Sequence, residues 1–314
     1  MKIVIAGGTG YVGRALAASF LATGDEVLVL SRGGAATAAE AATAPGTAVP
    51  GLQTAHWDGK TQGPWSCAID GADLVINLAG ERVAGPSPAY RWSSARRRIL
   101  QESRRDAGRA LVDAITSASH KPGVLIQASG IDFYPPGEDL AREGDQPGTG
   151  FLSRLVANEW EPSTEAVETL GVRRIVARLG PVLGPGSPVL RPLLLQHRLC
   201  VGGPLGTGRQ WMSWVALADI VGGFRHLAAE SQARGAFNLV APGSLRNAEL
   251  SEALGRVLHR PSWLPVPAFA LRLAFGAMAD TLLLGLRAEP RRLLDAGYSF
   301  RFPEIGAALA ASIL

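Results

Sequence analysis

The chain has 314 residues, 47% of them apolar, 18% charged and 6% aromatic, with a formal net charge of +4. That length carries one large α/β domain or two intimately joined ones, with ample chain to bury a core. The 38 glycines and 21 prolines punctuate apolar segments and form no biased tract, which excludes disorder and collagen-like repeats. The two cysteines, Cys67 and Cys200, are too few for a disulfide framework or a cysteine-based metal cluster. Met1 leads directly into a strand pattern with no signal peptide, so a reducing cytoplasm is the expected location.

The positive charge is nearly all arginine. Arg96-Arg97-Arg98 and Arg104-Arg105 cluster in a helical stretch with Glu102 and Asp106 close by, which reads as a solvated helix face with local ion pairs, not a nucleic-acid surface. The apolar stretch from Phe269 to Leu286 is interrupted by Arg272 and Asp280, so no membrane insertion is expected.

In chain order, Lys2 to Ala6 (KIVIA) is a short β-branched run, predicted to be a buried parallel strand. A helix follows from Tyr11 to Ala22, then a strand from Glu26 to Leu30. Ala35 to Pro50 reads as a loop or short helix. Strands are expected at Leu52 to Trp57, Asp73 to Leu78, Gly123 to Ala128 and Val172 to Leu179, with helices at Ser94 to Ser119 and Phe151 to Leu170. This alternation predicts βαβ units: an α/β fold with a Rossmann-type doubly wound parallel sheet. Pro181 to Gly208 is dense in glycine and proline and reads as loop. A helix from Val215 to Glu230 and a strand from Ala236 to Val240 could return to the sheet, and helical, proline-cut chain follows Asn247. The expected division is therefore a dinucleotide-binding domain over 1–180, joined by 211–240, and a smaller C-terminal lobe from 181–210 and 241–314.

Gly7-Gly8-Thr9-Gly10-Tyr11-Val12-Gly13 joins the first strand to the first helix with glycines spaced G-x-x-G-x-x-G. Such glycines permit a tight turn and close backbone approach to a pyrophosphate, which the helix N-terminus then attracts. The second strand runs out at Ser31-Arg32, without the acidic residue that would bind the ribose 2′-hydroxyl of NAD; a serine hydroxyl and a guanidinium suit a 2′-phosphate, which points to NADP(H). Asp58 is placed to accept from the adenine amino group, and Leu78-Ala79-Gly80 to pass close to the cofactor.

GGTGYVG, the Asn77 to Gly80 strand end, a serine after the fifth strand and Arg178 to Gly184 (RLGPVLG) together resemble an extended short-chain dehydrogenase/reductase. More closely, Ile76 to Glu81, Arg91-Trp92, Ser103-Arg104, Trp160-Glu161, Gly202 to Trp214, Asp219, Asn238, Ala241-Pro242 and Arg260-Pro261 resemble the YfcH-type (SulA-like) epimerase-like proteins over nearly the whole chain. The resemblance implies an NADP-binding fold with a C-terminal substrate lobe, with Arg178 and Pro181 beside the cofactor. It names no substrate. The superfamily's Tyr-x-x-x-Lys pair, in which lysine lowers the tyrosine pKa for proton exchange, has no counterpart here: none of Tyr11, Tyr90, Tyr134 and Tyr298 has a lysine four residues on.

In its place, Tyr134 is the expected acid, with Ser129 polarising a substrate carbonyl and Asp132 as the alternative acid. Tyr134 reads equally well as a packing residue in a proline-rich turn. Glu81, Arg91, Asp132 and Trp214 are candidate substrate contacts, although Glu81 and Arg91 could equally pair with each other and Trp214 could be core. Glu159 and Glu161 are placed to satisfy neighbouring arginines. The five histidines show no metal-ligand spacing. The expected function is an NADP(H)-dependent oxidoreductase, a reductase of a small carbonyl or unsaturated substrate. The alternatives are an epimerase or dehydratase that retains its cofactor, or a non-catalytic NADP-binding regulatory protein. The stripe of Phe269, Leu271, Phe275 and Met278 suits a pocket lid, a contact in a homodimer, or ordinary core.

Overall fold

The computed structural model describes residues 1–33, 52–84 and 91–313, so the expected loop or short helix at 35–50 lies outside the described residues. Seven strands form one parallel sheet: β1 (Lys2–Ala6), β2 (Glu26–Ser31), β3 (Gln53–His56), β4 (Leu74–Asn77), β5 (Val124–Gly130), β6 (Arg173–Leu179) and β7 (Gly235–Leu239). Their order is β7-β6-β5-β4-β1-β2-β3, which reverses direction between β1 and its neighbours β2 and β4. In open α/β sheets the crevice beyond the strand ends at such a reversal is where ligands bind.

β1 shows why the sheet is doubly wound. Ile3 and Ile5 face one layer with Phe20 of α1 (Tyr11–Leu21) and Phe224 of a later helix, Leu217–Ala229; Val4 and Ala6 face the other with Leu111 of α2 (Ser94–Ser117). Every residue from Ile3 to Ala6 is buried, so the run needs no polar face.

Two elements differ from expectation. Pro181 to Gly208 contains a helix, Leu190–Arg198: the Ser187 hydroxyl accepts from the amides of Val189 and Leu190, and Pro192 falls in the first turn, where a missing N–H costs nothing. The helical stretch 151–170 is not uniform. It runs as α over Phe151–Leu155, widens to a π turn over Val156–Trp160 and tightens to 3-10 turns over Glu161–Leu170. Pro162 accounts for the change, since it lacks the donor for an i→i−4 bond and its ring crowds the preceding turn.

The C-terminal chain builds its own small core around Trp214, Leu250, Leu254 and Leu309. Asp219 ties it to the sheet layer: its carboxylate accepts from the amides of Arg301 at 2.7 Å and Phe302 at 3.0 Å. Leu271 and Met278 of the apolar stripe are buried, whereas Phe269 is 74% exposed. No helix among the described residues is long and apolar enough to cross a membrane.

Candidate functional site

The glycine loop sits between the ends of β2 and β4. The Gly7 amide donates to Leu30 O at 3.2 Å, and the Leu78 amide donates to Ala6 O at 2.9 Å. Gly7 has φ +76°, and a Cβ there would stand 2.9 Å from the Leu78 carbonyl carbon; a Cβ on Gly13 would stand 2.5 Å from the Gly8 Cα. One glycine thus lets the loop pass over the β4 end, and the other lets α1 start directly against the loop. Gly10 caps α1 with no side-chain hydrogen bond, and the first turn holds no acidic residue. Thr9 closes the loop through its carbonyl, which accepts from Arg14 Nη1, while Val12 packs into the core. The Tyr11 hydroxyl is buried without a partner, and burial pushes its pKa up to about 12.

After β4, the buried Asn77 shapes the next turn. Its Oδ1 accepts from the Ala79 amide at 3.1 Å, and its Nδ2 donates to Gln127 Oε1 at 2.8 Å. Gly80 and Glu81 follow. Glu81 pairs with Arg96 at 3.4 Å and more loosely with Arg32 at 3.7 Å, instead of the expected Arg91. Arg91 Nη2 reaches the carbonyl of Leu273, so its cation is committed to a C-terminal helix. The Arg32 side chain is 67% exposed at the end of β2, beside the nearly buried Ser31. Asp58, exposed to solvent, accepts from the amides of Lys60 and Thr61 and from the Thr61 hydroxyl, and these bonds, the hydroxyl first, hold its pKa down to about 2.

Strand register creates the second half of the site. Asn238 on β7, Arg178 on β6 and Ser129 on β5 are direct partners across three strands, so their side chains form a row on one face. Arg178 Nε and Nη2 bind Glu161 Oε1 and Oε2 at 2.8 and 2.9 Å, and its Nη1 donates to the Tyr134 hydroxyl at 2.8 Å. Its guanidinium also lies 3.5 Å from the centre of the Phe133 ring. Burial alone would lower the Arg178 pKa; Glu161 and Tyr134 more than reverse this, and it stands above its ordinary value. The Tyr134 hydroxyl donates to Asn238 Oδ1 at 2.8 Å, and Ser129 Oγ donates to Glu161 Oε1 at 2.7 Å.

This network corrects several expectations. Tyr134 is 1% exposed, its one proton is taken by Asn238, and burial raises its pKa. It is therefore not placed to protonate a substrate. Ser129 is equally buried, with its proton committed to Glu161. Arg178 engages its guanidinium within the protein, so no cofactor contact is left to it. Trp214 is fully buried, its indole donating to Gly243 O, which makes it core and not a pocket wall.

Asp132, one turn beyond β5, stands exposed at the sheet's carboxyl end. Its carboxylate lies 3.5 Å from where a Cβ on Gly130 would stand, and Trp160 lies 4.0 Å from the same point. Asp132 is accessible to solvent yet ringed by protein. The protein packed around its carboxylate pushes its pKa up, and Arg104 pulls the other way. Arg104 is the residue that sequence reasoning misses. A solvated helix face is the expectation for it and its neighbours, and local pairs such as Arg105–Asp106 at 3.0 Å do form. Arg96 and Arg104, however, are each 5% exposed. The available signal is periodicity: Leu100, Arg104, Ala107 and Leu111 fall on one helical stripe, and all are buried.

Comparison with known proteins completes the site's context. The model of the NAD dependent epimerase/dehydratase family matches residues 3–239, and that of a domain of unknown function, DUF1731, matches residues 266–312. Mouse epimerase family protein SDR39U1 is 35% identical over 312 residues, covering 98% of each chain. Epimerase family protein Mb2239 of Mycobacterium bovis is 35% identical over 309 residues, covering 98% of this chain and 96% of its own. The crystal structure of human SDR39U1 (isoform 2) with NADPH superposes with a TM-score of 0.85 at 33% identity over the full length of both chains. MoeE5 with UDP-glucuronic acid and NAD shares the fold at 16% identity, with a TM-score of 0.78 and 100% of this chain and 98% of its own covered. The chain belongs to the NAD dependent epimerase/dehydratase family, as an atypical extended short-chain dehydrogenase/reductase.

Proposed function

We propose that this protein is an NADP(H)-dependent oxidoreductase that reduces a small carbonyl or unsaturated substrate, with residues 1–180 joined by 211–240 as cofactor domain and residues 181–210 and 241–314 as substrate lobe. The observation that carries the reading is the end of β2, where Ser31 and an exposed Arg32 stand in place of an acidic residue. A 2′-phosphate satisfies that cation, whereas an unphosphorylated ribose does not. The human relative solved with NADPH supports the same cofactor.

The residues present fit a dinucleotide. The cradle at Gly7 and Gly13 would be filled by any Cβ, and the N-terminus of α1 has no internal acid or cap to satisfy it. The loop from Gly7 to Gly13 would hold the pyrophosphate, Arg32 the 2′-phosphate, and Leu78 to Gly80 the near wall. When bound, the cofactor supplies the hydride.

The chain's own part is the proton. Asp132 takes the acid role that Tyr134 and Ser129 cannot fill, because it is the carboxyl that stands exposed beside the β5 end with a raised pKa. The Arg178–Glu161 pair, Tyr134 and Asn238 form the rigid floor that fixes the 131–134 turn and hence Asp132.

Calorimetric titration with NADPH and NADH tests the cofactor assignment. Wild type is expected to bind NADPH more tightly, and Arg32→Ala to lose that preference. Equal affinity for both nucleotides in wild type would overturn it.

A further inference from the structure

Arg104 is a buried cation that the fold leaves short of acceptors. Only Nη1 is hydrogen-bonded, to Leu100 O at 3.1 Å one turn earlier on α2; Nε has no partner, and no acceptor meets Nη2 among the described residues. One face of the guanidinium lies over Trp160, 4.4 Å from the ring centre, and the side chain packs against the backbone of exposed Gly80, where a Cβ would stand 3.3 Å from Cζ. The Trp160 indole N–H is also buried without an acceptor. Asp132 and Glu81 are the nearest opposing charges, yet neither closes to an ion pair with Arg104. Burial accordingly lowers the Arg104 pKa to about 10, against the pull of those two carboxylates.

The same molecule shows what a satisfied buried arginine looks like. Arg178 is equally hidden, and every edge of it is occupied, with Glu161 forked across Nε and Nη2. Arg104 presents that same edge without its carboxylate. A buried cation with an unpaired Nε and a buried indole N–H without an acceptor both cost stability, and the two side chains lie against Gly80 and Gly130, at the β4 and β5 ends. A π turn delivers Trp160 to this point, an irregularity that recurs at binding sites.

We infer that Arg104, backed by Trp160, is an oxyanion subsite of the substrate crevice, and that the substrate carries a carboxylate beside the group that Asp132 protonates. The Nε–Nη2 edge matches a carboxylate's two oxygens, and the Trp160 ring fixes the plane of the guanidinium. This rests on reading the crevice as the substrate site of an NADP(H) enzyme, and it goes beyond that reading by naming the substrate's charge.

The test is titration of the full chain with oxamate, a small carboxylate bearing a neighbouring carbonyl, in the presence of saturating NADPH, with inorganic phosphate in a parallel arm. Wild type is expected to bind oxamate, Arg104→Gln to lose at least about 30-fold of that affinity, and Arg104→Lys to keep part of it. NADPH affinity, measured separately, should stay within about twofold in both variants, and Arg104→Gln should melt at or above the wild-type temperature, because it removes the unpaired cation that burdens the empty protein. No oxamate binding by wild type overturns the proposal, as does tighter binding of phosphate. A matching loss of NADPH affinity in Arg104→Gln assigns Arg104 to the cofactor instead, and failure of both variants to fold makes it structural; either result also overturns it. If wild type binds no NADPH, the cofactor reading fails by itself. Oxamate titrated alone then decides the subsite, with loss of binding in Arg104→Gln upholding it and equal or absent binding overturning it.

Discussion

Arg178 forks onto Glu161, Nε to Oε1 at 2.8 Å and Nη2 to Oε2 at 2.9 Å, so that the last helical segment before β6 is clamped to the strand that follows it. Both side chains are shielded from solvent, and each has further partners: Ser129 on the carboxylate, Tyr134 on the guanidinium. Removing one member of such a pair leaves the other charge buried and uncompensated, which costs about 3–5 kcal/mol. Glu161→Ala is therefore expected to destabilise the protein by that amount in urea unfolding. Glu161→Leu combined with Arg178→Met should recover much of the loss, since no lone charge remains. Equal damage from the single and double variants would mean that the pair matters for shape and not for charge compensation.

Tyr134 illustrates how a residue type misleads when its surroundings are unknown. Its hydroxyl bridges Arg178 and Asn238 and does not face the crevice. Tyr134→Phe should therefore cost about 1–3 kcal/mol in unfolding, because Arg178 and Asn238 each lose a buried partner. Its rate of NADPH oxidation with any substrate the wild type accepts should remain within a few-fold. A loss of a hundredfold or more in kcat, with KM unchanged, would return the acid role to Tyr134.

The sheet is legible in the sequence because its strands are short β-branched runs separated by helical spacing, and the glycine loop because its position between β1 and α1 is local. The Ser129–Arg178–Asn238 row is not. It exists only once β5, β6 and β7 are in register, and nothing near any one of the three residues announces the other two. Arg104 is hidden differently. Its charge suggests exposure, although its helical phase with Leu100 and Leu111 places it on the buried stripe. The helix at Leu190–Arg198 is masked by the glycine and proline on either side of it, which mark its ends and not its absence.

The cradle offers a sharper test of the cofactor site than any side chain does. Gly7→Ala places a Cβ at positive φ and 2.9 Å from backbone atoms of Leu78, where neither partner can yield. Strain of about 1–3 kcal/mol is expected, and the displaced loop should lose NADPH binding at least tenfold. Gly24→Ala has a similar φ, +81°, but open space around its Cβ. It should show comparable strain with NADPH affinity intact, and calorimetry on the two variants separates conformational strain from loss of the cradle.

Asp132 sets the expected pH dependence. Crowding by protein raises its carboxyl pKa in the folded chain, with Arg104 in opposition, so the acid form persists to higher pH than in an exposed aspartate. For a group raised on folding, the associated stability is fully present below the unfolded carboxyl pKa and is lost as pH rises through the folded one. Asp132→Asn should consequently match wild type in urea unfolding at about pH 3.5, where both carry a neutral side chain, and exceed it at about pH 8. Catalysis should follow the same protonation. If Asp132 donates the proton, wild-type kcat/KM for NADPH-dependent reduction should fall as pH rises through its pKa, while Asp132→Asn, whose amide has no proton to give, should show a low, flat profile. A pH profile unchanged by the substitution would remove Asp132 from the chemistry, and a stability gain that persists at about pH 3.5 would trace the effect to packing and not to charge.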